Sequence, residues 1–499
     1  MKGKRLAPMA MDAETFRALG HRLVDQIAEQ LTAVPQGPVT PDQAPATVRQ
    51  VFGLDSPLPA HGEDPEKILR ELPAKLFAHS LLNGHPRFFG FITSSPAPIG
   101  MLGDLLASAV NPNIGAWVIG PAATEIELQA VRWIAELMGF PVTASGILVS
   151  GGNMANMVCF FAARAAKAGW NVREEGLLGK PRLRAYASSE THTWLQKAAD
   201  LSGLGTGAVR WIPVDRELRM EVAALEHAIE QDRAAGDLPF LVVGTGGSVS
   251  TGAVDPLREI AAICHAQNLW FHVDGAYGGF AATVPEAPED LRALSEADSI
   301  AVDPHKWLYT PLEAGCALVR NPEHHRAAFA YMPSYYHFGE ETRNFVNLGP
   351  QNSRGFRALK VWLGLRQTGA EGARQMISDD IRLSRRMAEA ITAHPEMELV
   401  TQALSITTFR YVPRDLRASS GRDGVDEYLN KLNKSLLETS QARGEVFVTN
   451  AVVRGSFLLR ACIVNFHTDE PDVLAVPEIL GRIGAELDRT MRPAELAAR

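Results

Sequence analysis

Hydrophobic and polar positions follow three successive patterns along the chain. Near the N-terminus, "DAETFRALGHRLVDQIAEQLTAV" has apolar residues at helical spacing, with Phe16, Leu23, Ile27 and Leu31 on one stripe, and the pattern breaks at Pro35. No compact lobe is predicted around this amphipathic helix before about residue 95. We therefore expect its stripe to pack on another subunit; packing on the large lobe of its own chain is the alternative.

From about residue 98, short β-rich runs alternate with helical ones, as where "GILVSGG" leads into "NMANMVCFFAARAAKAG". Further strands are predicted at "LRAYASSE", "FLVVGTGGS", "LWFHVDGAYGG", "ADSIAVDP" and "AGCALVR". This alternation predicts a mainly parallel sheet with helices on both faces, and ligands of such sheets gather at the carboxyl ends of the strands.

After about residue 372, long helices such as "DDIRLSRRMAEAITAH" and "GVDEYLNKLNKSLLETSQARG" are mixed with short β runs such as "SITTFRYV" and "GSFLLRACIV". The predicted architecture is α/β in three parts. They are an N-terminal helical segment (1–97), a large domain built on the mainly parallel sheet (98–372) and a small C-terminal α+β domain (373–499).

Composition indicates a globular protein that acts on small molecules. Of 499 residues, 46% are hydrophobic and 21% charged, and the formal net charge is −8. This charge would not attract nucleic acid or an anionic membrane, so neither is expected as a partner. The four cysteines, Cys159, Cys264, Cys316 and Cys462, are too far apart for a metal knuckle or a disulfide framework. With no apolar leader segment and no run of eighteen apolar residues, we expect a cytoplasmic protein.

A lysine and an aspartate follow two of the predicted strands. Lys306, in "SIAVDPHKWLYTP", comes after a strand that is apolar up to Val302, and a partly desolvated amine can attack a carbonyl to form a Schiff base. Asp274 ends the strand of "LWFHVDGAYGG", with the small residues Gly275 and Ala276 beside it. Pyridoxal phosphate requires such a pair, with lysine on its aldehyde and aspartate on its pyridinium nitrogen. Taken alone, a lysine in such a place is more often structural or part of a salt bridge, and the surrounding residues change this interpretation.

Two further features are compatible with this cofactor. "SGGNMANM" joins a strand to a helix through two glycines, and its free amides and helix dipole are suited to a phosphate; a tight turn is the alternative. His192, in "SSETHTW", follows another strand. Its planar ring is placed to stack on the cofactor opposite Ala276, or else it is an ordinary core or surface histidine.

Seven segments, taken in order, resemble the group II pyridoxal-phosphate-dependent amino-acid decarboxylases, which include aromatic-L-amino-acid, histidine, tyrosine and glutamate decarboxylases. The segments are "HPRFFGF", "WVIGPAATEIE", "SGGNMANM", "HVDGAYGGF", "DPHKW", "FRALKVWLGLRQTG" and "LLRACIVNF". The resemblance runs from about Phe16 to about Phe466. It implies fold type I, the aspartate-aminotransferase-like fold, with bound pyridoxal 5'-phosphate and a homodimer whose active sites lie near the subunit interface.

The resemblance also implies roles for individual residues. Lys306 forms the Schiff base, Asp274 pairs with the pyridinium nitrogen, and Ala276 and His192 flank the ring. Asp303 occupies a position where several relatives have asparagine, and an extra carboxylate there would need a hydrogen-bond donor. The remaining phosphate contacts fall at Gly152, Asn153, Met154 and His305.

The segment "AYMPSYYHFGEETRNFVNL" is polar and aromatic without a clear period, which is typical of a loop. The resemblance makes it the catalytic loop, in which Tyr335 protonates Cα after carbon dioxide leaves; surface packing of the tyrosines is the alternative. The spacing from Lys306 favours Tyr335 over Tyr336.

Substrate residues are inferred from the aromatic decarboxylases. In "NIGAW", which is one residue shorter than their version, Ala116 stands about where they have phenylalanine. Arg460 is predicted either as a substrate contact or as a member of a structural salt bridge. The predicted pocket is apolar, without an evident cation for glutamate or aspartate, and favours an aromatic or other hydrophobic L-amino acid. The other predicted pocket residues are Phe91, Ile92, Ser94 and Trp117, the last of which is alternatively part of the core.

The predicted reaction is decarboxylation of an L-amino acid to its amine and carbon dioxide. A decarboxylation-coupled aldehyde synthase of the same family is one alternative, although Tyr335 and His192 favour plain decarboxylation. A carbon–carbon lyase similar to the sphingosine-phosphate lyases is another. A protein that binds the cofactor without catalysis is the third.

Overall fold

Two β-sheets organise residues 7–331 and 342–496, the part of the chain that the computed structural model describes. The strands are β1 (Ser145–Val149), β2 (Leu183–Ser188), β3 (Val209–Ile212), β4 (Leu238–Thr245), β5 (Trp270–Asp274), β6 (Ser299–Val302), β7 (Gly315–Val319), β8 (Met397–Ala403), β9 (Ile406–Tyr411), β10 (Thr449–Val453) and β11 (Ser456–Cys462). The helices are α1 (Ala13–Ala33), α2 (Pro45–Phe52), α3 (Pro65–Ala78), α4 (Pro98–Val110), α5 (Pro121–Leu137), α6 (Gly152–Lys167), α7 (Val172–Glu175), α8 (Trp194–Leu201), α9 (Val222–Ala234), α10 (Leu257–Gln267), α11 (Pro322–Phe329), α12 (Ala358–Ala393), α13 (Asp423–Arg443) and α14 (Glu470–Met491).

The large sheet has seven strands in the order β1-β7-β6-β5-β4-β2-β3. The pairs among β6, β5, β4, β2 and β3 are parallel, whereas β7 runs antiparallel to both β6 and β1. Apolar clusters cover both faces of this sheet. The structure therefore confirms a mainly parallel sheet with helices on both faces. The prediction lacked β3, a four-residue edge strand whose middle residues are not buried.

The connections of the large sheet bring the predicted chemical groups to one edge. β5 ends at Asp274, which pairs with Ala301 of the neighbouring parallel strand β6, so the loop containing Lys306 begins beside Asp274. At the same edge, β1 ends at Val149, which pairs with Gly315 at the start of β7, and the chain then enters α6. A parallel order places these carboxyl ends together, as expected for a ligand site.

The small sheet has four antiparallel strands in the order β10-β11-β9-β8, covered by α12, α13 and α14. The prediction lacked β8, because the polar residues of "MELVTQA" hide its β pattern. α12 bends at Gly369, where φ is 67°, and it packs on α4 and α5 as well as on β8 and β9. The predicted boundary at 372/373 falls inside this helix, so the domain limits stay a prediction.

The first helix packs on another N-terminal helix. Arg22 Nη1 of α1 lies 2.7 Å from Glu66 Oε1 of α3, and Gln26 Nε2 donates to the carbonyl of Arg70 at 3.2 Å. Phe16, on the predicted apolar stripe, is 63% exposed. Where that stripe packs in an assembly stays a prediction. None of the helices in residues 7–331 and 342–496 is long and apolar enough to cross a membrane.

A buried ion pair connects α5 to the chain that precedes α12. Arg354 Nη2 lies 2.5 Å from Glu127 Oε1, and both side chains have no exposed surface. Arg354 also donates to the carbonyl oxygens of Leu148 and Ile114, so the pair joins β1 to the "NIGAW" segment. Removing one member of such a pair leaves the other charged and buried.

Glu127→Ala is therefore expected to lower the free energy of unfolding by about 3–5 kcal/mol. Urea unfolding followed by circular dichroism measures this change. Glu136→Ala, at an exposed position of the same helix, is the control and should shift stability by less than about 1 kcal/mol. Equal effects of the two substitutions would contradict a structural role for the ion pair.

Candidate active site

A cavity of about 320 Å3 opens at the carboxyl ends of the strands of the large sheet. Eight of the predicted site residues line it, namely Gly152, Asn153, His192, Asp274, Ala276, Asp303, His305 and Lys306. A larger cavity of about 640 Å3 lies elsewhere, beside α12, where charged residues such as Arg386 and Glu470 pair with each other. The convergence of predicted chemical groups, rather than cavity size, identifies the candidate site.

Lys306 forms an ion pair inside this cavity. Its Nζ lies 3.0 Å from Asp303 Oδ2, and its side chain is 17% exposed. His305 Nε2 lies 3.7 Å from the same carboxylate oxygen. The donor that a carboxylate at position 303 would need is thus Lys306 itself, and the amine faces a carboxylate rather than apolar atoms alone. The other oxygen, Asp303 Oδ1, is buried and has no hydrogen-bond partner among the described residues.

Asp274 is buried, and N–H groups bind both of its carboxylate oxygens. Trp194 Nε1 donates to Oδ2 at 2.7 Å, and the backbone N–H of Ala276 donates to Oδ1 at 3.1 Å. Thr245 ends the neighbouring strand beside Asp274 and also lines the cavity. The two donors fix the plane of the carboxylate at the end of β5.

His192 lies at the open edge of the cavity, between β2 and α8. Its Nδ1 accepts the backbone N–H of Trp194 at 3.2 Å, so the neutral ring has its proton on Nε2. The atoms packed beneath the exposed ring bury it enough to lower the pKa of His192 below its usual value. Near neutral pH the side chain is therefore an uncharged ring with one N–H donor.

The N-terminus of α6 closes one side of the cavity. Gly151, the residue before the helix, has φ of 106°, a conformation that favours glycine. A Cβ atom on Gly152 would lie 2.7 Å from Asp303 Oδ2 and 3.0 Å from the Cβ of Ala276, so only glycine fits this close approach. Asn153 faces the cavity, whereas the side chain of Met154 packs on an apolar cluster and leaves only its backbone for the site.

The loop containing Lys306 is fixed by bonds to several elements. His305 Nδ1 lies 2.6 Å from the carbonyl of Ala314, and the carbonyl of His305 accepts the hydroxyl of Ser94 at 2.9 Å. Burial lowers the pKa of His305. Trp307 is fully buried, stacks on Tyr277 with 4.6 Å between ring centroids, and bonds to a carboxylate of α12. These contacts hold the amine of Lys306 at the strand ends.

The predicted substrate residues lie outside the cavity lining found in the described part of the chain. Ser94 reaches the Lys306 loop as described above, and Ile92 packs on the core beneath the sheet. Ala116 is buried, and the indole N–H of Trp117 donates to Glu125 at 2.7 Å. Apart from the bond of Ser94 to the carbonyl of His305, the described part of the chain does not bring these residues together with Lys306.

Arg460 is buried without an acidic partner in the described structure. Its Nη1 donates to the carbonyl of Phe91 at 3.0 Å and to Thr449 Oγ1 at 3.2 Å, while Nε and Nη2 have no hydrogen-bond partner among the described residues. Phe91 itself has φ of 52°, and its side chain is exposed. The structural salt bridge considered for Arg460 is not seen in residues 7–331 and 342–496. Tyr335, the predicted proton donor, lies outside the described residues, as does Tyr336.

Several residues around the cavity were missed by the sequence analysis. Trp194 was present in the quoted "SSETHTW", and Asn156 in "SGGNMANM", but nothing in those motifs says which atoms they contact. Ser150 and Gly151 also line the cavity and belong to the "SGGNMANM" segment predicted to bind phosphate, whereas the lining residues without a prediction are Thr245, Gly247, Val249, Tyr277, Leu312 and Glu313. Of these, Thr245 follows the same rule as Asp274, since it ends a parallel strand.

A buried histidine supports the floor of the cavity. His272 Nε2 lies 2.7 Å from Asn156 Oδ1, and its Nδ1 lies 2.9 Å from Ser299 Oγ. Burial lowers the pKa of His272 from 6.5 to about 4. The folded protein therefore binds this proton more weakly than the unfolded chain does, and the stabilising contribution is intact above about pH 6.5 and lost as the pH falls toward about 4.

The stability advantage of the wild type over His272→Gln is expected to fall by roughly 3 kcal/mol between about pH 7 and pH 4. Urea unfolding at a series of pH values measures it. The wild type is compared with the variant because two other buried groups also make stability depend on pH. Burial raises the pKa of Asp255 to about 6 and of Asp380 to about 7, so their effect on the free energy of unfolding is opposite to that of His272. His265→Gln, at an exposed position, is the control; a difference for His272→Gln that does not change with pH would contradict the assignment.

Comparison with known proteins agrees with this geometry. Residues 45–412 match the family model described as the pyridoxal-dependent decarboxylase conserved domain. The chain belongs to the pyridoxal-dependent decarboxylase family. Over 94% of its length it is 32% identical to an aromatic-L-amino-acid decarboxylase of Bacillus atrophaeus, of which 95% is covered. It is 29% identical to a phenylacetaldehyde synthase of Petunia hybrida, with 93% of each chain covered.

Solved structures show the same fold. The crystal structure of Oryza sativa TDC with PLP and tryptamine has a TM-score of 0.89 and 27% identity, covering 98% of this chain and 100% of that one. Mouse CSAD also has a TM-score of 0.89, with 26% identity over 95% of this chain and 99% of its own. The predicted family, fold type, cofactor and enzyme class are thereby confirmed: this pyridoxal-dependent decarboxylase is an amino-acid decarboxylase that uses pyridoxal phosphate.

The residues at the cavity fit that cofactor. Lys306 provides the amine, Asp274 a buried carboxylate with a fixed plane, and the first turn of α6 a set of backbone N–H groups at a helix N-terminus. The glycine required at position 152 opens the space beside this turn. The unpartnered Asp303 Oδ1 is a buried acceptor at the same place, so a donor from a bound molecule or water would satisfy it.

Proposed function

We propose that this decarboxylase converts an aromatic or other hydrophobic L-amino acid to the corresponding amine and carbon dioxide. One observation carries the proposal: the amine of Lys306 and the carboxylate of Asp274 line one cavity at adjacent strand ends, beside the N-terminus of α6. The family membership and the aromatic decarboxylase of Bacillus atrophaeus support the same reaction.

The chain contributes positioning and proton transfer. When bound, pyridoxal phosphate supplies an aldehyde that condenses with amines and a ring that accepts the electron pair of a breaking bond. Asp274, fixed by Trp194 and the Ala276 N–H, binds the proton on the ring nitrogen, and the first turn of α6 binds the phosphate. Asp303 pairs with the amine of Lys306 at 3.0 Å and holds it at the strand ends.

Two groups act at the reacting carbon in this proposal. His192, uncharged with its proton on Nε2, lines the same cavity as Ala276 and would hold the cofactor ring by stacking on it. Tyr335, by the resemblance, delivers the proton to Cα after carbon dioxide leaves.

Substrate recognition is assigned to the remaining predicted residues. Arg460 has two buried N–H groups without partners among the described residues and binds a carbonyl of the exposed Phe91, so it positions that ring while keeping donors for a polar group of the substrate. Ala116, which stands about where the aromatic decarboxylases have phenylalanine, is one of the proposed substrate contacts. The other proposed substrate contacts are Ile92, Ser94 and Trp117.

We further propose a cytoplasmic homodimer with active sites near the interface. Four apolar side chains of α4 are exposed in the single chain, Leu102, Leu105, Leu106 and Val110, as are Val118 and Ile119 just after the "NIGAW" segment. An exposed apolar patch of this kind marks an interface. Ala116 and Trp117, which lie outside the lining of their own cavity, would then contribute to the site of the partner. The four buried cysteines are all free, in agreement with a reducing compartment.

The substitution Leu105→Glu is expected to convert the protein from dimer to monomer at micromolar concentration, because it places a charge in the centre of this apolar patch. Sedimentation velocity measures the change. Leu178→Glu, at a position 97% exposed and away from α4, should remain dimeric. A wild type that sediments as a monomer would contradict the proposed assembly.

An assay of the cofactor-loaded enzyme with all common L-amino acids tests the reaction. Carbon dioxide, amine, aldehyde, hydrogen peroxide and ammonia are measured together. We expect one amine for each carbon dioxide, with highest kcat/KM for aromatic or other hydrophobic substrates. Aldehyde with peroxide and ammonia would instead show an aldehyde synthase, the activity for which the Petunia hybrida relative is named, and aldehyde without carbon dioxide would show a lyase.

A further inference from the structure

Trp194 is hydrogen-bonded to two of the residues assigned to the cofactor ring. Its indole N–H donates to Asp274 Oδ2 at 2.7 Å, and its backbone N–H donates to His192 Nδ1 at 3.2 Å. The side chain is fully buried, with its ring edge-on to His272 at 5.6 Å between centroids. An indole has one donor, so its single hydrogen bond is committed to Asp274.

We propose that Trp194 is a positioning residue whose indole orients the carboxylate of Asp274 toward the ring nitrogen of the cofactor. This inference rests on the proposed function, because it assigns Trp194 an effect on a bound pyridine ring. The indole N–H is a neutral donor, so it orients the carboxylate of Asp274 without placing a positive charge beside it. The backbone bond to His192 fixes which of its nitrogens has the proton.

The chain offers a matched control in Trp270. Trp270 is also buried, and its indole N–H donates to Ser299 Oγ at 2.8 Å, on the neighbouring strand rather than at the cavity. Phenylalanine at either position removes one buried indole hydrogen bond and a similar volume. Only Trp194→Phe removes a donor from Asp274.

The experiment compares pyridoxal phosphate with 1-deazapyridoxal phosphate, in which carbon replaces the ring nitrogen. Binding of each to the wild type, Trp194→Phe and Trp270→Phe is measured by visible absorbance and by quenching of protein fluorescence. Trp194→Phe is expected to weaken pyridoxal phosphate binding about tenfold and to shift the pH midpoint of its absorbance. Binding of the deaza compound should be the same in Trp194→Phe and the wild type, and Trp270→Phe should bind both compounds as the wild type does.

An equal loss of affinity for both compounds in Trp194→Phe, or a loss no greater than in Trp270→Phe, would overturn the inference. If Trp194→Phe does not fold, the wild type labelled with 5-fluorotryptophan tests the same inference by fluorine NMR. One fluorine resonance should respond to pyridoxal phosphate and not to the deaza compound, and the absence of such a resonance overturns the inference. A wild type that does not bind pyridoxal phosphate would instead overturn the proposed function.

Discussion

Lys306→Ala is expected to abolish turnover and to remove the visible absorbance of lysine-bound cofactor. The structure gives the reason, because Lys306 is the only lysine that lines the cavity in the described part of the chain. No neighbouring amine can replace it at the strand ends, so the loss should be on the order of 10³-fold or more in kcat/KM. Absorbance spectra and assays with the best substrate measure both effects.

Lys306→Ala should lose activity without unfolding. Loss of the ion pair leaves Asp303 without its ammonium partner and with the ring of His305 at 3.7 Å, which should cost about 1–3 kcal/mol of stability but leave the fold intact. Lys434→Ala, at an exposed position of α13, is the control and should match the wild type in spectrum and rate. A Lys306→Ala enzyme with normal turnover would contradict the central assignment.

The positions of Lys306 and Asp274 were predictable because each directly follows a buried strand. The direction of the strands then brings the two residues near each other. β5 and β6 are parallel neighbours, so their carboxyl ends lie side by side, and Asp274 pairs with Ala301. The strands β3 and β8 were not predicted because neither is a continuous buried apolar run. β3 is a short edge strand, and β8 is rich in polar residues. The pattern of hydrophobic residues does not encode the antiparallel direction of β7.

The contacts between side chains were harder to predict than their places in the chain. "DPHKW" shows that Asp303 precedes Lys306 by three positions but not that a turn brings Nζ to the carboxylate. "SSETHTW" contains Trp194, yet its bond to Asp274 joins residues 80 positions apart. The "NIGAW" residues lie outside the cavity of their own chain because a loop and a buried ion pair direct that segment elsewhere. Such placements depend on tertiary packing, which no local pattern contains.

Asp274→Asn is expected to reduce kcat/KM by on the order of 10³-fold while leaving a folded, cofactor-binding protein. The amide oxygen still accepts the indole N–H of Trp194 and keeps the side chain near its place, although the amide NH2 cannot accept the backbone N–H of Ala276. The substitution removes the negative charge that keeps a proton on the ring nitrogen of pyridoxal phosphate. Without that proton the cofactor ring accepts electrons poorly. Measurements are kcat/KM and the pH dependence of the cofactor absorbance.

Asp298→Asn is the matched control, because Asp298 Oδ2 accepts the backbone N–H of Phe271 at 2.8 Å at the opposite end of the same two strands. Both substitutions neutralise a carboxylate that binds an N–H group beside β5. Only Asp274 faces the cavity, so only its variant should lose activity and alter the absorbance. Activity of Asp274→Asn within tenfold of the wild type would show that the ring nitrogen does not depend on this carboxylate, and the proton on that nitrogen would then need a different acceptor among the lining residues.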